Sequence, residues 1–203
     1  MMKVELHLHT TRYSGCATCS PEELMPALIG KGYQAVFITE HDALWSRQEL
    51  QILQSEFPDI RIFPGVELSL GPDRTEHLLV LGTYDRRYLT IRDPAGVLQK
   101  ARAEGRLTVL AHPFRWKGGN RMLDEGVLPD AIEQQTCNQA LPEHVQLSRQ
   151  AAARLHLRLV NAGDVHAMDK VGRFWIETRR PVVKAGDIRA IILEGQYENR
   201  SAE

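Results

Sequence analysis

The 203-residue sequence has no apolar run approaching the roughly 18 residues that span a bilayer, and its first residues enter a strand pattern with no signal-peptide hydrophobic region. A soluble, cytoplasmic protein is expected, with no membrane partner. Cysteine is scarce. Cys16, Cys19 and Cys137 are an odd and sparse set, which argues against a disulfide framework and makes reduced thiols the default. "CATC" has the spacing of a zinc knuckle or redox pair, but no second pair accompanies it. Neither sign of charge dominates: 25 Lys and Arg against 26 Asp and Glu leave a formal net charge of -1, with no electrostatic case for non-specific binding to nucleic acid or membrane. Repeats, low-complexity tracts and an obvious linker are missing. With 43% apolar residues over this length, residues 1–203 are read as a single domain. No GxSxG elbow is present, which leaves covalent serine catalysis without support.

What the sequence does have is alternation. Seven β-rich runs, "KVELHLH", "QAVFIT", "IRIFPGVEL", "HLLVLGTY", "LTVLAH", "AIEQQT" and "LRLVNAG", are spread along the chain among amphipathic stretches. This is the rhythm of an α/β protein. One helix start is explicit in "SPEELMPALIGKG": Ser20 as N-cap, Pro21 at the first helical position, Glu23 completing a capping box, and Gly32 near the stop. Further helices are predicted over "LWSRQELQILQSEF", "DPAGVLQKARAEG", "PEHVQLSRQAAARLH" and "AGDIRAIILEG", the last with Asp187 near its N-terminus. The pattern predicts an imperfect β/α barrel in preference to an open doubly wound sheet. In the first run Val4, Leu6 and Leu8 alternate with Glu5, His7 and His9, which predicts two triplets on opposite faces.

Six of the eight histidines fall at strand ends: His7 and His9 in "HLH", His41 in "TEHD", His77 in "EHLLVLG", His112 in "AHP" and His166 in "GDVH". Glu67 in "GVE" and Asp164 in "GDVH" accompany them. In a parallel barrel the C-terminal strand ends converge on one mouth, where barrel active sites are built. His77 instead opens its apolar run, which predicts that this strand runs against the others. Residues two apart on a strand lie about 7 Å apart at Cα, a spacing from which two imidazoles can lean onto one ion. A lone buried histidine is more often a hydrogen-bonded core residue. Six at strand ends beside acids would leave polar groups costly to bury, so metal binding is the simpler reading. His144 and His156 fall on a predicted helix and are read as structural.

In order, "HLHTTRYSG…SPEEL", "GYQAVFITEHD", "PGVELS", "HLLVLG", "AHPFR" and "NAGDVH…VG" resemble the successive motifs of the PHP (polymerase and histidinol phosphatase) domain, from residue 3 to about residue 175. The resemblance implies a distorted (β/α)7 barrel and two or three divalent ions, used in most members for phosphoester hydrolysis. Carried over by position, His7, His9, Glu67 and Asp164 would hold one ion, and Glu67 would bridge to a second held by His77 and His112. His41 and His166 would reach a third. One position departs: Cys16, in "SGC", stands where the family usually has aspartate or histidine. Either its thiolate is a ligand that tilts the subsite toward zinc, or it is a small inert residue. Glu40 replaces the aspartate common before this histidine and is not expected to be a ligand.

Two ions about 3.5–4 Å apart, bridged by a carboxylate, would acidify a shared water and stabilise an in-line displacement at phosphorus. The expected activity is hydrolysis of a phosphomonoester or phosphodiester with a metal-bridging hydroxide as nucleophile, Glu67 and Asp164 being the catalytic carboxylates. The mixed histidine and carboxylate donors suit Zn, Mn or Fe better than Mg. Arg12 and Arg115, with Arg173 as a third candidate, lie near the motifs and would grip phosphate oxygens. Asp42 is read as a helix cap or support, and Trp116 as the tryptophan best placed to stack on a substrate ring. The expected partner is a phosphorylated small molecule or nucleotide, with nucleic acid only as substrate. Two rivals stand. An amidohydrolase-like C–N hydrolase would call for a carbamylated lysine bridge, and no lysine sits at a matching strand end. A PHP metal-binding module without catalysis would serve a larger assembly.

Overall fold

The computed structural model describes residues 1–116 and 119–202. Their backbone is organised around one mixed sheet of nine strands. The seven predicted strands are β1 (Met2–Leu8), β2 (Ala35–Ile38), β3 (Arg61–Leu70), β4 (Glu76–Leu81), β5 (Leu107–Ala111), β6 (Ala131–Gln135) and β7 (Arg158–Asn161). Two more follow, β8 (Phe174–Thr178) and β9 (Tyr197–Ser201), correcting the expected seven. β8 lies antiparallel beside β1, and β9 antiparallel beside β8. The β9 segment "YENRS" is polar and only partly buried, so it lacks the apolar alternation that marks a strand in sequence.

β1, β2 and β3 pair in parallel, as do β5, β6 and β7. β4 is antiparallel to both its neighbours, as the position of His77 in its run predicts. The sheet ends at β7 on one side and β9 on the other. These edges meet through side chains: the Tyr197 hydroxyl and Asn199 Nδ2 donate to the Leu159 carbonyl at 2.7 and 2.9 Å, and the Asn161 amide donates to Asn199 Oδ1 at 2.7 Å. The result is a nearly closed barrel.

The lumen is filled by one apolar cluster that includes Val4, Leu6, Phe37, Leu79, Val109, Ala131, Val160 and Ile176. The last helix, α6 (Asp187–Leu193), adds Ile188, Ile191 and Ile192, all fully buried. It joins Met2, Leu81 and Leu107, from the strand ends remote from the histidines, and so plugs that end of the barrel. Each such side chain contributes about 1.5–3 kcal/mol by leaving water.

Outside, α1 (Pro21–Gly30) and α2 (Arg47–Glu56) share an apolar cluster with β1, β2 and β3, and α3 (Pro94–Ala103) and α5 (Pro142–Leu155) share another with β3 to β6, α5 also lying against β7. α4 (Arg121–Asp124) is a single short turn that the sequence pattern does not signal. The α1 start is as predicted, with Ser20 and Glu23 capping each other's backbone amides. α2 begins later than "LWSR" suggests, because Ser46 and Glu49 form a second capping box. No helix among the described residues is long and apolar enough to cross a membrane.

Candidate metal centre

His7 and His9 reach the lumen through an irregularity, not plain alternation. The β1–β2 register shifts between Glu5 and Leu8. The amides of Leu6 and His7 both donate to Glu5 Oε1, at 3.0 and 3.1 Å, and the Gly163 amide donates to the same oxygen at 2.7 Å. A bulge of this kind re-aims side chains. Leu6 therefore stays in the lumen with Val4, whereas Leu8 packs outside with Leu24 and Ile38. The expected division into two triplets is corrected accordingly. Burial pushes the Glu5 carboxyl up to about 7, against the lowering effect of the Gly163 and His7 amides.

At the mouth, His7 Nε2 and His9 Nε2 stand 2.9 Å apart. Glu67 Oε2 lies 3.2 and 3.1 Å from them, and Asp164 Oδ1 3.4 and 3.5 Å. Donors about 2.0–2.1 Å from a tetrahedral zinc stand about 3.3–3.4 Å from one another, close to these separations. The proton inventory makes the same point. His7 Nδ1 is 2.8 Å from Glu133 Oε1, and His9 Nδ1 is 3.2 Å from Ser14 Oγ. Glu133 accepts, and Ser14 spends its one hydroxyl proton on Glu40, so both Nδ1 atoms must be donors. In the neutral rings each Nε2 is then the lone-pair nitrogen, and the two face each other at 2.9 Å, an arrangement a cation would stabilise. Glu67 Oε2 and Asp164 Oδ1 add buried oxygens that accept no hydrogen bond. These residues fit a bound divalent ion.

Glu67, in the middle of β3, is the hub. Its Oε1 lies 2.8 Å from His77 Nδ1 and 3.2 Å from His112 Nε2, and its Oε2 lies 3.0 Å from His41 Nδ1. Three overlapping groups have donor atoms within 4.8 Å of one another: His7, His9 and Asp164; His41, Glu67 and His77; His9, His41 and His166. His112 Nε2 is 3.8 Å from Asp164 Oδ2, and His166 Nδ1 is 3.3 Å from Asp164 Oδ1. The electrostatics favour positive charge at this place. Burial would raise the Glu67 and Asp164 carboxyls, but the imidazoles, His7 foremost, hold both well below the usual range. Conversely, burial would lower His7, yet Asp164, Glu67 and Glu133 raise it well above its ordinary value. His41 is lowered, because its burial outweighs the pull of Glu67.

Three residues at the mouth, Asp42, His112 and Asp164, have left-handed backbones, with φ of 48°, 30° and 48°. Such strain in non-glycine residues concentrates at functional sites. Asp42 does not cap α2; its Oδ1 accepts the Ser69 amide and its Oδ2 binds Arg74, which ties down the β3–β4 hairpin. Glu40 stands in none of the three groups and is a buried acceptor for Thr10, Ser14 and Trp45.

The remaining expected site residues are placed as follows. Cys16 is exposed and stands in none of the three groups, because the turn after β1 carries it outward. Burial, with Glu67 and Asp164 nearby, raises its thiol. Arg12 is exposed and paired with Glu49 at 2.6 Å, beside the rings of Tyr13 and Trp45. The Arg115 amide donates to the His112 carbonyl, and its guanidinium lies 4.2 Å from the centroid of the exposed Trp116 ring. Arg173 bonds the Asp169 carbonyl. His144 and His156 lie on or at the end of α5 and join none of the groups. Sequence reasoning missed Glu133, Ser14 and Asn138, whose Nδ2 donates to Asp164 Oδ2 at 2.6 Å. The one available signal was an acidic residue inside the β-rich run "AIEQQT".

No family model matches this sequence. The curated DNA polymerase/3′-5′ exonuclease PolX of Bacillus subtilis (strain 168) is 33% identical over 87 residues, 36% of this chain and 15% of that protein. Among solved structures, a two-domain protein from Bacteroides vulgatus ATCC 8482, described as containing a predicted PHP-like metal-dependent phosphoesterase, superposes with a TM-score of 0.73 at 16% identity. That match covers 98% of this chain and 64% of that one. The lesion-specific endonuclease PfuEndoQ from Pyrococcus furiosus gives 0.63 at 14% identity, over 100% of this chain and 59% of that one. An amidohydrolase from Chromobacterium violaceum, solved with sulfate and no metal, gives 0.67 at 15% identity, over 96% of this chain and 97% of that one. The chain thus spans less than two thirds of three of these four proteins. It shares the fold of these PHP-like and related proteins, and the histidines of HLH, TEHD, AHP and GDVH meet Glu67 and Asp164 at its mouth.

Proposed function

We propose that residues 1–203 form one metal-dependent phosphoric ester hydrolase domain acting on a phosphomonoester or phosphodiester. The observation that carries this reading is the facing pair of His7 and His9 Nε2 atoms, 2.9 Å apart, with Glu67 Oε2 within 3.2 Å of both. Two or three divalent ions, Zn, Mn or Fe, would be held by His7, His9, Glu67 and Asp164, by Glu67 with His41, His77 and His112, and by His9, His41 and His166. Bound ions would supply Lewis acidity and an acidified water.

The chain's own residues do the rest. Glu67 sets the spacing of five imidazoles through its two oxygens. Asp164, fixed through Oδ2 by Asn138, keeps Oδ1 turned to the centre. Arg115, next in chain to the His112 turn, offers its planar fork to phosphate oxygens. Arg12 is the weaker candidate, being committed to Glu49. The exposed Trp116 gives a ring on which a base could stack. Two similar proteins are a polymerase/exonuclease and an endonuclease, so a phosphodiester belongs among the substrates tested. A cytoplasmic setting, in keeping with three free cysteines, is part of the same proposal.

The amidohydrolase neighbour supports a second reading, C–N bond hydrolysis. Against it, Glu67, with its two oxygens facing different imidazoles, would serve as the bridge in place of a lysine carbamate. The test is metal analysis of the purified protein, followed by assays on a chromogenic phosphomonoester, a phosphodiester, histidinol phosphate and an amide panel with Mn²⁺ or Zn²⁺. Ester turnover that disappears with chelator and with His7→Ala is the expected result. Amide turnover alone would establish the C–N hydrolase, and full metal occupancy with no turnover a binding module.

A further inference from the structure

The β6 carboxylate Glu133 touches two of the residues proposed as ligands without joining the donor cluster. It is fully buried. Its Oε1 is 2.8 Å from His7 Nδ1, and its Oε2 accepts the His112 amide at 2.7 Å. The two contacts fix different things. The first favours one tautomer of the neutral His7 ring: a carboxylate that accepts at Nδ1 makes Nε2 the lone-pair nitrogen aimed at the centre. The second holds the backbone of His112, whose φ of 30° is strained for a non-glycine residue and needs an external tie.

Its own placement is secured through its backbone carbonyl. The Glu133 carbonyl accepts from Gln139 Nε2 at 3.1 Å and from Ser148 Oγ at 3.0 Å, and Gln139 Oε1 accepts the Phe114 amide at 2.7 Å. β6 and the β5 turn that carries His112 are thereby locked together. No other carboxylate reaches His7 Nδ1 among the described residues.

We propose that Glu133 is a positioning residue of this centre, which presets the Nδ1–H tautomer of His7 and the turn of His112 so that both rings present Nε2 to a cation. This rests on the metal-dependent reading above. Glutamine at this position keeps the shape but has one acceptor and one NH₂ group. Its NH₂ must face either the His112 amide or His7 Nδ1, and in the second case the His7 proton moves to Nε2, where it blocks coordination.

The experiment measures zinc and manganese affinity, by competition with a fluorescent chelator, for wild type, Glu133→Gln, His7→Ala and the double variant. We expect Glu133→Gln to weaken binding roughly 10–100-fold, the range seen when a partner of a ligating histidine is lost. The same substitution should cost much less in the His7→Ala background, a coupling that a merely structural role would not produce. Unchanged affinity in folded Glu133→Gln, or fully additive losses, would overturn the inference while leaving the metal reading intact. An unchanged affinity in His7→Ala would instead sink the metal reading. If Glu133→Gln does not fold, nitrogen-15 spectra of the zinc-loaded wild type decide. A protected Nδ1–H on His7 with a ligated Nε2 supports the role, and Nδ1 ligation or a rapidly exchanging Nδ1–H rejects it.

Discussion

The Gly163 amide donates to Glu5 Oε1 at 2.7 Å, and a Cβ added to Gly163 would come within 2.6 Å of the other oxygen of that carboxylate and 2.5 Å of Val165 Cγ2. The β1 bulge that aims His7 thus depends on a bare backbone in the loop after β7. Gly163→Ala should destabilise the protein by about 1–3 kcal/mol, roughly 3–10 °C in Tm for a chain of this size. Metal affinity should fall with it. Thermal melting monitored by circular dichroism checks this, and an unchanged Tm would show that the neighbours yield freely.

The clustered donors also predict linkage between metal and stability. A ligand at about 100 times its Kd that binds only the folded chain adds about 2.7 kcal/mol, here about 5–10 °C in Tm. Zinc or manganese added to chelator-treated protein should produce such a shift, and Glu67→Gln should abolish it. Equal melting temperatures with and without metal in wild type would count against a folded-state site.

Cys16 supplies a sharper discrimination. It is exposed and lies outside the three donor groups. Cys16→Ser should therefore leave metal stoichiometry and zinc affinity within about twofold of wild type, a difference below 0.5 kcal/mol. A stoichiometry lower by one ion, measured by elemental analysis, would identify Cys16 as a ligand.

Away from the centre, Glu49 predicts an acid-dependent term in stability. The Tyr13 hydroxyl, the Ser46 amide and Arg12 hold its carboxyl down to about 2, against an ordinary value of 4.5. A depressed folded-state pKa stabilises above the unfolded value and loses that contribution as pH falls toward the folded one. The Tm gap between wild type and Glu49→Gln should be full above about pH 4.5 and narrow steadily below it. A gap that does not change between pH 6 and pH 3 would show that these contacts carry no charge-dependent stability.

Local chemistry decided much of what was legible in this chain. Ser20 with Glu23 makes the same capping box in the sequence and in the fold, because both partners lie within one helical turn. Likewise the strands with apolar runs could be read directly, and the ordered histidine motifs pointed to one mouth. The four-residue α4 and the polar strand β9 could not be read, since neither carries a periodic apolar signal. Glu133 escaped for a different reason. Its partners His7 and His112 are 126 and 21 residues away in sequence, and no local rule links them.

The sequence by itself therefore determined the kind of protein: short strands and helices in alternation, and acidic and imidazole side chains at strand ends. Tertiary structure alone decided which of those side chains meet. Closure of the sheet, the Glu5 bulge and the left-handed turns at His112 and Asp164 bring donors from β1, β3, β4, β5 and the loop after β7 to within hydrogen-bond range. Distances of that order depend on registers and backbone angles accumulated over the whole barrel, which periodicity in a linear chain does not encode.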